Sequence, residues 1–332
     1  MKKSLFLFYS LIICFSFFPF TDKGNAAEKS AEDIYKDRLA LYKEMEAVTQ
    51  VPWYWLAGVD TYEKGLRRAR NDREKADGVI NIYFSPKEWA GPLNPNLEAE
   101  TPTEIALFDG IGLDGNGNGK ASLHEDADVL FTFANYLSDY GYDDDNIQIG
   151  LWEYYQRDQA VNIITGHARI YKKYNRIDLD DEHAFPVPLN YNYSYRSTWG
   201  DTRGWGGRRI HEGTDIFAGH RTPVRATSYG IVELKGWNKF GGWRLGIRDL
   251  SNTYHYYAHL SGFEDGINKG DIVSPGDVIG YVGSSGYGKP GTQGKFPPHL
   301  HYGMYRDNGY SEWSFDPYPS LKSWEQRDRR RR

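Results

Sequence analysis

Three short segments of the 332-residue sequence carry side chains whose types and spacing could do metal chemistry: His211-Glu-Gly-Thr-Asp215, Tyr257-Ala-His259-Leu260 and His299-Leu-His301. A single histidine is more often incidental than functional, so the information lies in the combination. Residues two apart on a strand share a face, so His299 and His301 project side by side, and one can bind metal while the other faces substrate. Glycines 204, 206, 207 and 213 argue for a loop running into a strand around His211 and Asp215, and such a loop can turn both inward. Two neutral imidazoles and one carboxylate make a three-ligand zinc site with a fourth position open to water. Zinc held this way lowers the pKa of its water to about 7 and polarises a carbonyl, which points to amide hydrolysis without a serine or cysteine nucleophile. His259 and whichever of His299 and His301 the metal does not use are suited to moving protons and stabilising an oxyanion.

The elements that must position these residues are strands. Short alternating segments at 231–234, 243–247, 253–259, 278–282 and 300–305 are separated by Gly, Asn, Asp and Pro turns. Strict alternation along 253–259 would put His255 on the same face as His259, as a competitor for its role. His220 reads as a turn residue, and His124, His167 and His183 have no matching partners. Before the acidic run Asp178-Leu-Asp-Asp-Glu182 the texture is helical, with apolar periodicity over 31–49, 53–70, 126–140 and 146–174. Pro52 suits the first turn of the second helix.

The three histidine segments, in this order, resemble the zinc endopeptidase family that includes lysostaphin and LytM. The similarity spans roughly Phe185 to Pro317 and extends to Thr222-Pro-Val-Arg-Ala226, Gly270-Asp-Ile-Val-Ser-Pro-Gly276 and Gly283-Ser-Ser-Gly286. It implies an antiparallel β-rich domain that cuts the peptide part of peptidoglycan, with His211, Asp215 and His301 as zinc ligands and His259 and His299 flanking water and substrate. All five are present, whereas family members that have lost ligands act as scaffolds. His220-Arg221 and the long 286–298 stretch depart from the family pattern, which leaves specificity open. The two-part layout further resembles peptidases that cut between L-alanine and D-glutamate in spore-cortex maturation. That makes this bond the leading choice, with a D-alanyl-diaminopimelate cross-link and a non-catalytic wall-binding scaffold as alternatives.

The helical part holds two further candidates. Asp114, Asn116, Asn118, Gly119, Lys120, Ser122 and Glu125 fit positions 1, 3, 5, 6, 7, 9 and 12 of an EF-hand loop, a candidate Ca2+ site with little negative charge. Val51 to Glu63, the Asp114 loop with 128–137, and Leu151 to Tyr171 resemble lytic transglycosylases of lysozyme-like fold. That resemblance places Glu63 where the family's acid sits. Tyr83 stands where glutamine is usual, and Lys64 where a small hydroxyl residue is usual, so the expected role lies between glycan cleavage and glycan binding.

Met1-Lys-Lys, an apolar stretch over 5–20 and small residues at 24, 26 and 27 read as a secretory signal peptide, with an uncleaved anchor as the alternative. The single cysteine, Cys14, lies inside it, so a mature chain would have no disulfide. A net charge of −5 disfavours nucleic acid as a partner, and no obligate protein partner is evident. The mean hydropathy of −0.68 and 16% aromatic content fit a soluble surface rich in Tyr and Trp, suited to sugars or extended peptides. The expected fold class is multidomain α + β: signal peptide 1–27, helical lysozyme-like domain 28–178, LytM-type peptidase domain 179–322, and a solvated basic tail 323–332. The expected product is an exported, wall-associated zinc hydrolase of peptidoglycan.

Overall fold

The structure is a computed structural model and describes residues 30–73, 76, 78–204 and 209–331. The expected signal peptide, Cys14, Gly206 and Gly207 lie outside the described residues.

Seven helices come first: α1 (Ala31–Thr49), α2 (Trp53–Ala69), α3 (Pro86–Ala90), α4 (Pro102–Leu107), α5 (Asp126–Ser138), α6 (Asp144–Tyr155) and α7 (Asp158–Tyr174). Ser30 caps α1 by accepting the Asp33 amide, and Pro52 precedes α2, where a missing N–H costs nothing. α2 and α7 pack closely because Gly58 has no side chain: a Cβ there would lie 3.1 Å from the Ala168 nitrogen and the Ile164 oxygen. Trp55, Leu56, Tyr62, Trp89 and Phe133 fill the core around this pair. The periodicity over 146–174 predicts one helix, but the structure has two. Gln156 adopts the left-handed conformation and its amide bonds the Trp152 carbonyl at 2.7 Å, ending α6. The break frees Arg157, the extended residue between the two helices, to make a bidentate pair with Asp307 at 3.0 and 2.5 Å.

The chain then forms β1 (Tyr193–Tyr195), β2 (Thr202–Arg203), β3 (Arg209–Ile210), β4 (Thr214–Ala218), β5 (Pro223–Arg225), β6 (Gly230–Asn238), β7 (Gly242–Asp249), β8 (Thr253–Phe263), β9 (Ile272–Val273), β10 (Val278–Val282), β11 (His299–Asp307) and β12 (Glu312–Phe315). Its main sheet is antiparallel, in the order β1-β4-β11-β8-β7-β6-β9, with β10 joining β5 and β8, and β12 flanking β11. One face packs on a second core of Phe185, Ile216, Leu245, Tyr257, Leu300 and Tyr302. The two cores meet through polar contacts as well as apolar ones. His167 of α7 lies between the Gly58 and Asp249 carbonyls, and Asn252 donates to the Tyr62 carbonyl at 3.0 Å.

The chain end differs from the expected solvated tail. It forms helix α8 (Tyr318–Arg330), which buries Leu321 and Trp324. Asp328 pairs with Arg225 at 2.7 Å, Arg329 pairs with Glu325 at 2.8 Å, and Arg327 donates to the Asp181 carbonyl. Arg327 and Arg329 thus bond within the fold, while Arg330 and Arg331 are exposed at the end of the helix. No helix among the described residues is long and apolar enough to cross a membrane.

Candidate metal centre

The register of two strand pairs assembles the site. On β4 and β11, Asp215 lies directly opposite His301 and Phe217 opposite His299, so alternation puts all four side chains on one face of the sheet. His211 enters from the loop between β3 and β4. Its Nδ1 donates to the Thr198 carbonyl at 2.9 Å, which fixes the tautomer and turns Nε2 toward the sheet. Nε2 then lies 2.9 Å from His301 Nδ1, and Asp215 Oδ1 lies 3.1 Å from the former and 3.0 Å from the latter. Among the described residues this is the single group of three or more His, Cys, Asp or Glu side chains whose ligand atoms converge, all within 4.8 Å. Burial by itself would raise the Asp215 carboxyl, but the His211 and His301 imidazoles beside it outweigh that effect and hold the group well below the usual carboxylate range. Two imidazole nitrogens and one carboxylate oxygen facing one another are the donor set zinc takes.

His259 reaches the same place by a break in alternation. β7 and β8 shift register where Arg244 faces Ala258 and His259, and His259 takes φ 62° while its amide bonds the Gly241 carbonyl at 2.8 Å. This bulge overturns the prediction that His255 shares a face with His259. His255 is buried beneath the sheet, with Nε2 2.8 Å from Asp249 Oδ2 and Nδ1 2.6 Å from the Tyr302 hydroxyl. The His259 ring is 4.9 Å from that of His299 and 5.9 Å from that of His301. His259 Nδ1 donates to the Ser285 carbonyl at 2.8 Å and His299 Nδ1 to the Pro297 carbonyl at 2.9 Å, so both present Nε2 to the centre. Burial lowers His259 to about 3, assisted by His301 and His299, and its ring is neutral at physiological pH.

Two clefts meet at the centre. One, of about 360 Å3, is lined by His211, His259, His301, Arg244, Tyr256 and Tyr287. The other, of about 520 Å3, is lined by Tyr195, Arg196, Asp215 and Phe217. An extended chain laid across the sheet would pass from one to the other over the ligands. The long 286–298 stretch supplies Tyr287 and Phe296, which pack on His259 with centroids 6.2 and 4.7 Å away. Thr198, Ser285 and Pro297 act through backbone carbonyls, which leave no signature in the sequence. Gly213 is also part of the site: a Cβ there would lie 2.7 Å from His301 Cε1.

The candidates in the helical part are organised differently. Asp114 accepts the amides of Gly117 and Gly119 at 2.7 Å, the Asn118 side-chain amide donates to Glu125 at 3.0 Å, and that of Asn116 does likewise. Lys120 and Ser122 turn to Glu100, at 2.8 and 3.1 Å. The loop is closed by its own hydrogen bonds and does not gather the oxygens of an EF-hand, so the calcium expectation is not supported.

Glu63 is buried at the floor of a cleft of about 540 Å3. Burial raises its carboxyl, opposed by an ion pair with Arg73 and a 2.8 Å hydrogen bond from Tyr155. Tyr83 packs under Arg73, 4.9 Å from its guanidinium, and under Arg67 at 5.4 Å. The two departures from the transglycosylase pattern therefore have structural uses. Tyr83 supports the cation that neutralises Glu63, and Lys64 ties α2 to the acidic run through Asp180 at 2.8 Å. The helical region precedes the sheet as expected, but a lysozyme-like character is not established for it.

The family model for peptidase family M23 matches residues 209–313, which include all five site residues. The chain is 58% identical to the L-Ala–D-Glu endopeptidase of Bacillus subtilis (strain 168), over 95% of each. It is 34% identical to lysostaphin of Staphylococcus staphylolyticus over 34% of this chain and 22% of that protein. The solved catalytic domain of lysostaphin from Staphylococcus simulans shares 31% identity, covering 42% of this chain and 99% of that one, with a TM-score of 0.34. With the converging ligands and a relative matched across nearly its whole length, the chain belongs to peptidase family M23 and is a metallopeptidase.

Proposed function

We propose that the chain is a zinc endopeptidase that hydrolyses the L-Ala–D-Glu bond of peptidoglycan stem peptides outside the cell, in spore-cortex maturation. One observation carries the bond: the 58% identity to an L-Ala–D-Glu endopeptidase runs over 95% of both chains and so takes in the helical region as well as the peptidase sheet. The match to lysostaphin covers 34% of the chain.

His211 through Nε2, His301 through Nδ1 and Asp215 through Oδ1 would hold the zinc. The metal supplies Lewis acidity, making water nucleophilic near neutral pH and polarising the scissile carbonyl. The chain's own groups do the rest. His259 and His299, each with Nδ1 committed to a backbone carbonyl, offer Nε2 to the centre. One accepts a proton from the attacking water, the other donates a hydrogen bond to the developing oxyanion, and the accepted proton passes to the departing amine. Tyr287 and Phe296 shield His259 from bulk water. Glu63, already paired with Arg73, takes no part, and the aromatic cleft above it supports glycan holding over glycan cleavage.

The test is mass spectrometry of purified peptidoglycan digested by the mature, zinc-loaded chain beside His301→Ala. New termini of L-alanine and D-glutamate that vanish in the variant are the expected result. New D-alanine termini would assign the cross-link instead, and peptidoglycan left unchanged by the folded, zinc-loaded natural chain would favour a scaffold.

A further inference from the structure

The cleft on the β8 side of the metal centre has an unbalanced charge. Its two acids are engaged: Glu312 accepts from Arg248 at 2.5 Å, and Glu212 from the Tyr305 hydroxyl at 3.2 Å. Its two arginines meet tyrosine hydroxyls and aromatic rings in place of carboxylates. Arg209 donates to the Tyr287 hydroxyl at 2.6 Å and lies over Phe240, and Arg244 stands 6.0 Å from the centre of the Tyr256 ring. Neither has a carboxylate partner among the described residues, and Arg244 Nε is buried with no hydrogen-bond partner. Such a group is costly unless something else satisfies it.

Its position is set by the same irregularity that sets the catalytic geometry. Arg244 is the β7 residue facing the bulge at Ala258 and His259, and the Tyr256 ring beside it lies 5.9 Å from the ring of His301. A guanidinium one aromatic ring away from a metal ligand is within reach of the residue next to the scissile bond. Its planar fork matches a carboxylate.

We propose that Arg244, assisted by Arg209, recognises the free carboxylate of the glutamyl residue on the C-terminal side of the cut. The inference rests on the L-Ala–D-Glu reading above. In a stem peptide the D-glutamate continues through its side-chain carboxyl, so its main-chain carboxylate stays free beside the bond. The same residue carrying a carboxamide has the same shape and no charge. The cleft is thus a charge filter: it admits stems with the free acid and discriminates against amidated stems, while the zinc centre is indifferent to the difference. Specificity of this kind arises because a buried donor left without its anion penalises the wrong substrate.

The experiment compares two synthetic stem peptides, one with D-glutamate and one with D-isoglutamine, as substrates of the full zinc-loaded chain. The readout is kcat/KM for each, with bound zinc and thermal midpoint measured alongside. The expected result is a preference for the free acid of about 10- to 100-fold, the scale of a charged hydrogen bond. Arg244→Gln should collapse it by losing rate on the acid alone, Arg244→Lys should keep part of it, and exposed Arg209→Gln should reduce it less. Cleavage of both peptides at equal rates by the natural chain, or a preference unchanged in a zinc-loaded Arg244→Gln, would overturn the inference while leaving the bond assignment intact. Failure to cut either peptide between L-alanine and the next residue would overturn the bond assignment and the inference with it.

Discussion

Asp215 and Glu63 are both buried carboxylates, one in the sheet and one in the helical region, and both lie about 3 Å or less from facing polar side chains. They differ in what those side chains are. Glu63 faces a guanidinium, a permanent cation that completes the charge, and a tyrosine hydroxyl that completes the hydrogen bonding. Asp215 faces two imidazoles whose nitrogens are 2.9 Å from each other as well as about 3 Å from the carboxylate. Those three atoms all have lone pairs to offer, and a divalent cation satisfies all of them at once. A buried acid therefore signals chemistry when its neighbours are themselves acceptors left facing one another. When the neighbour is an arginine, the acid is already spent.

The largest effect expected from this contrast is on the metal. Asp215→Asn should lose stoichiometric zinc and reduce peptide cleavage by about a thousandfold or more. Glu63→Gln should keep both and instead cost about 1–3 kcal/mol of stability, because Arg73 loses its anion. Zinc analysis and a denaturant midpoint on both proteins would separate the two outcomes, and a Glu63→Gln enzyme without zinc would break the contrast. Chelation of the natural protein should reproduce the activity loss of Asp215→Asn and be reversed by added zinc. Next in size are the two histidines outside the triad. His259→Ala and His299→Ala should each retain zinc while losing about 10²- to 10⁴-fold in kcat, and loss of zinc from either would make it a ligand in place of a proton carrier.

The site's composition was largely readable because a strand's period of two is rigid. His299 and His301, two apart, had to share a face, and the structure pairs them with Phe217 and Asp215 on the neighbouring strand. The same rule misplaced His255, because one left-handed residue at His259 shifts every side chain before it relative to the site. Nothing in Tyr257-Ala-His-Leu announces such a bulge. Likewise the 146–174 periodicity runs unbroken through Gln156, where a tertiary contact, Arg157 with Asp307, competes with the local preference for helix. The tail reads as unstructured because its charge density is visible in the sequence, whereas the groups that Arg327 and Arg329 bond, the Asp181 carbonyl, Glu325 and Tyr193, are brought to them by the fold. The calcium loop had the right oxygens in the right order, but its asparagines offer donors as well as acceptors, and the donors face Glu125.

Gly213 tests how tightly the ligand set is held. A methyl group there would meet the His301 ring at 2.7 Å and the Tyr302 carbonyl at 2.6 Å, so the ring must tilt away from Asp215. Gly213→Ala should weaken zinc affinity by about 10- to 100-fold, the usual cost of disturbing a ligand's orientation, and leave the helical region's melting unaffected. A competition titration against a chelator would read the shift. Unaltered affinity would mean the backbone yields there and that the ligands tolerate more movement than the three short distances suggest.

The smallest effect concerns a titratable group that, like Glu63, is satisfied without a metal. His167 is buried where α7 meets the sheet, between two carbonyls, and burial lowers it to about 4 despite those hydrogen bonds. An unfolded histidine titrates near 6.5, so between about pH 6.5 and 4 the unfolded chain binds a proton that the folded chain does not. Stability must then rise with pH across that window and fall on acidification, by up to about 1.4 kcal/mol for each pH unit from this residue. His259, lowered to about 3, acts in the same direction, so the two are separated by substitution. Denaturant midpoints of the zinc-loaded protein from pH 7 to pH 4 should slope less in His167→Gln than in the natural chain. Equal slopes would show that the junction between the helical region and the sheet accepts a charged imidazole. In that case the two carbonyls that His167 faces would satisfy the cation as Arg73 satisfies Glu63, and burial would cease to be what sets its charge.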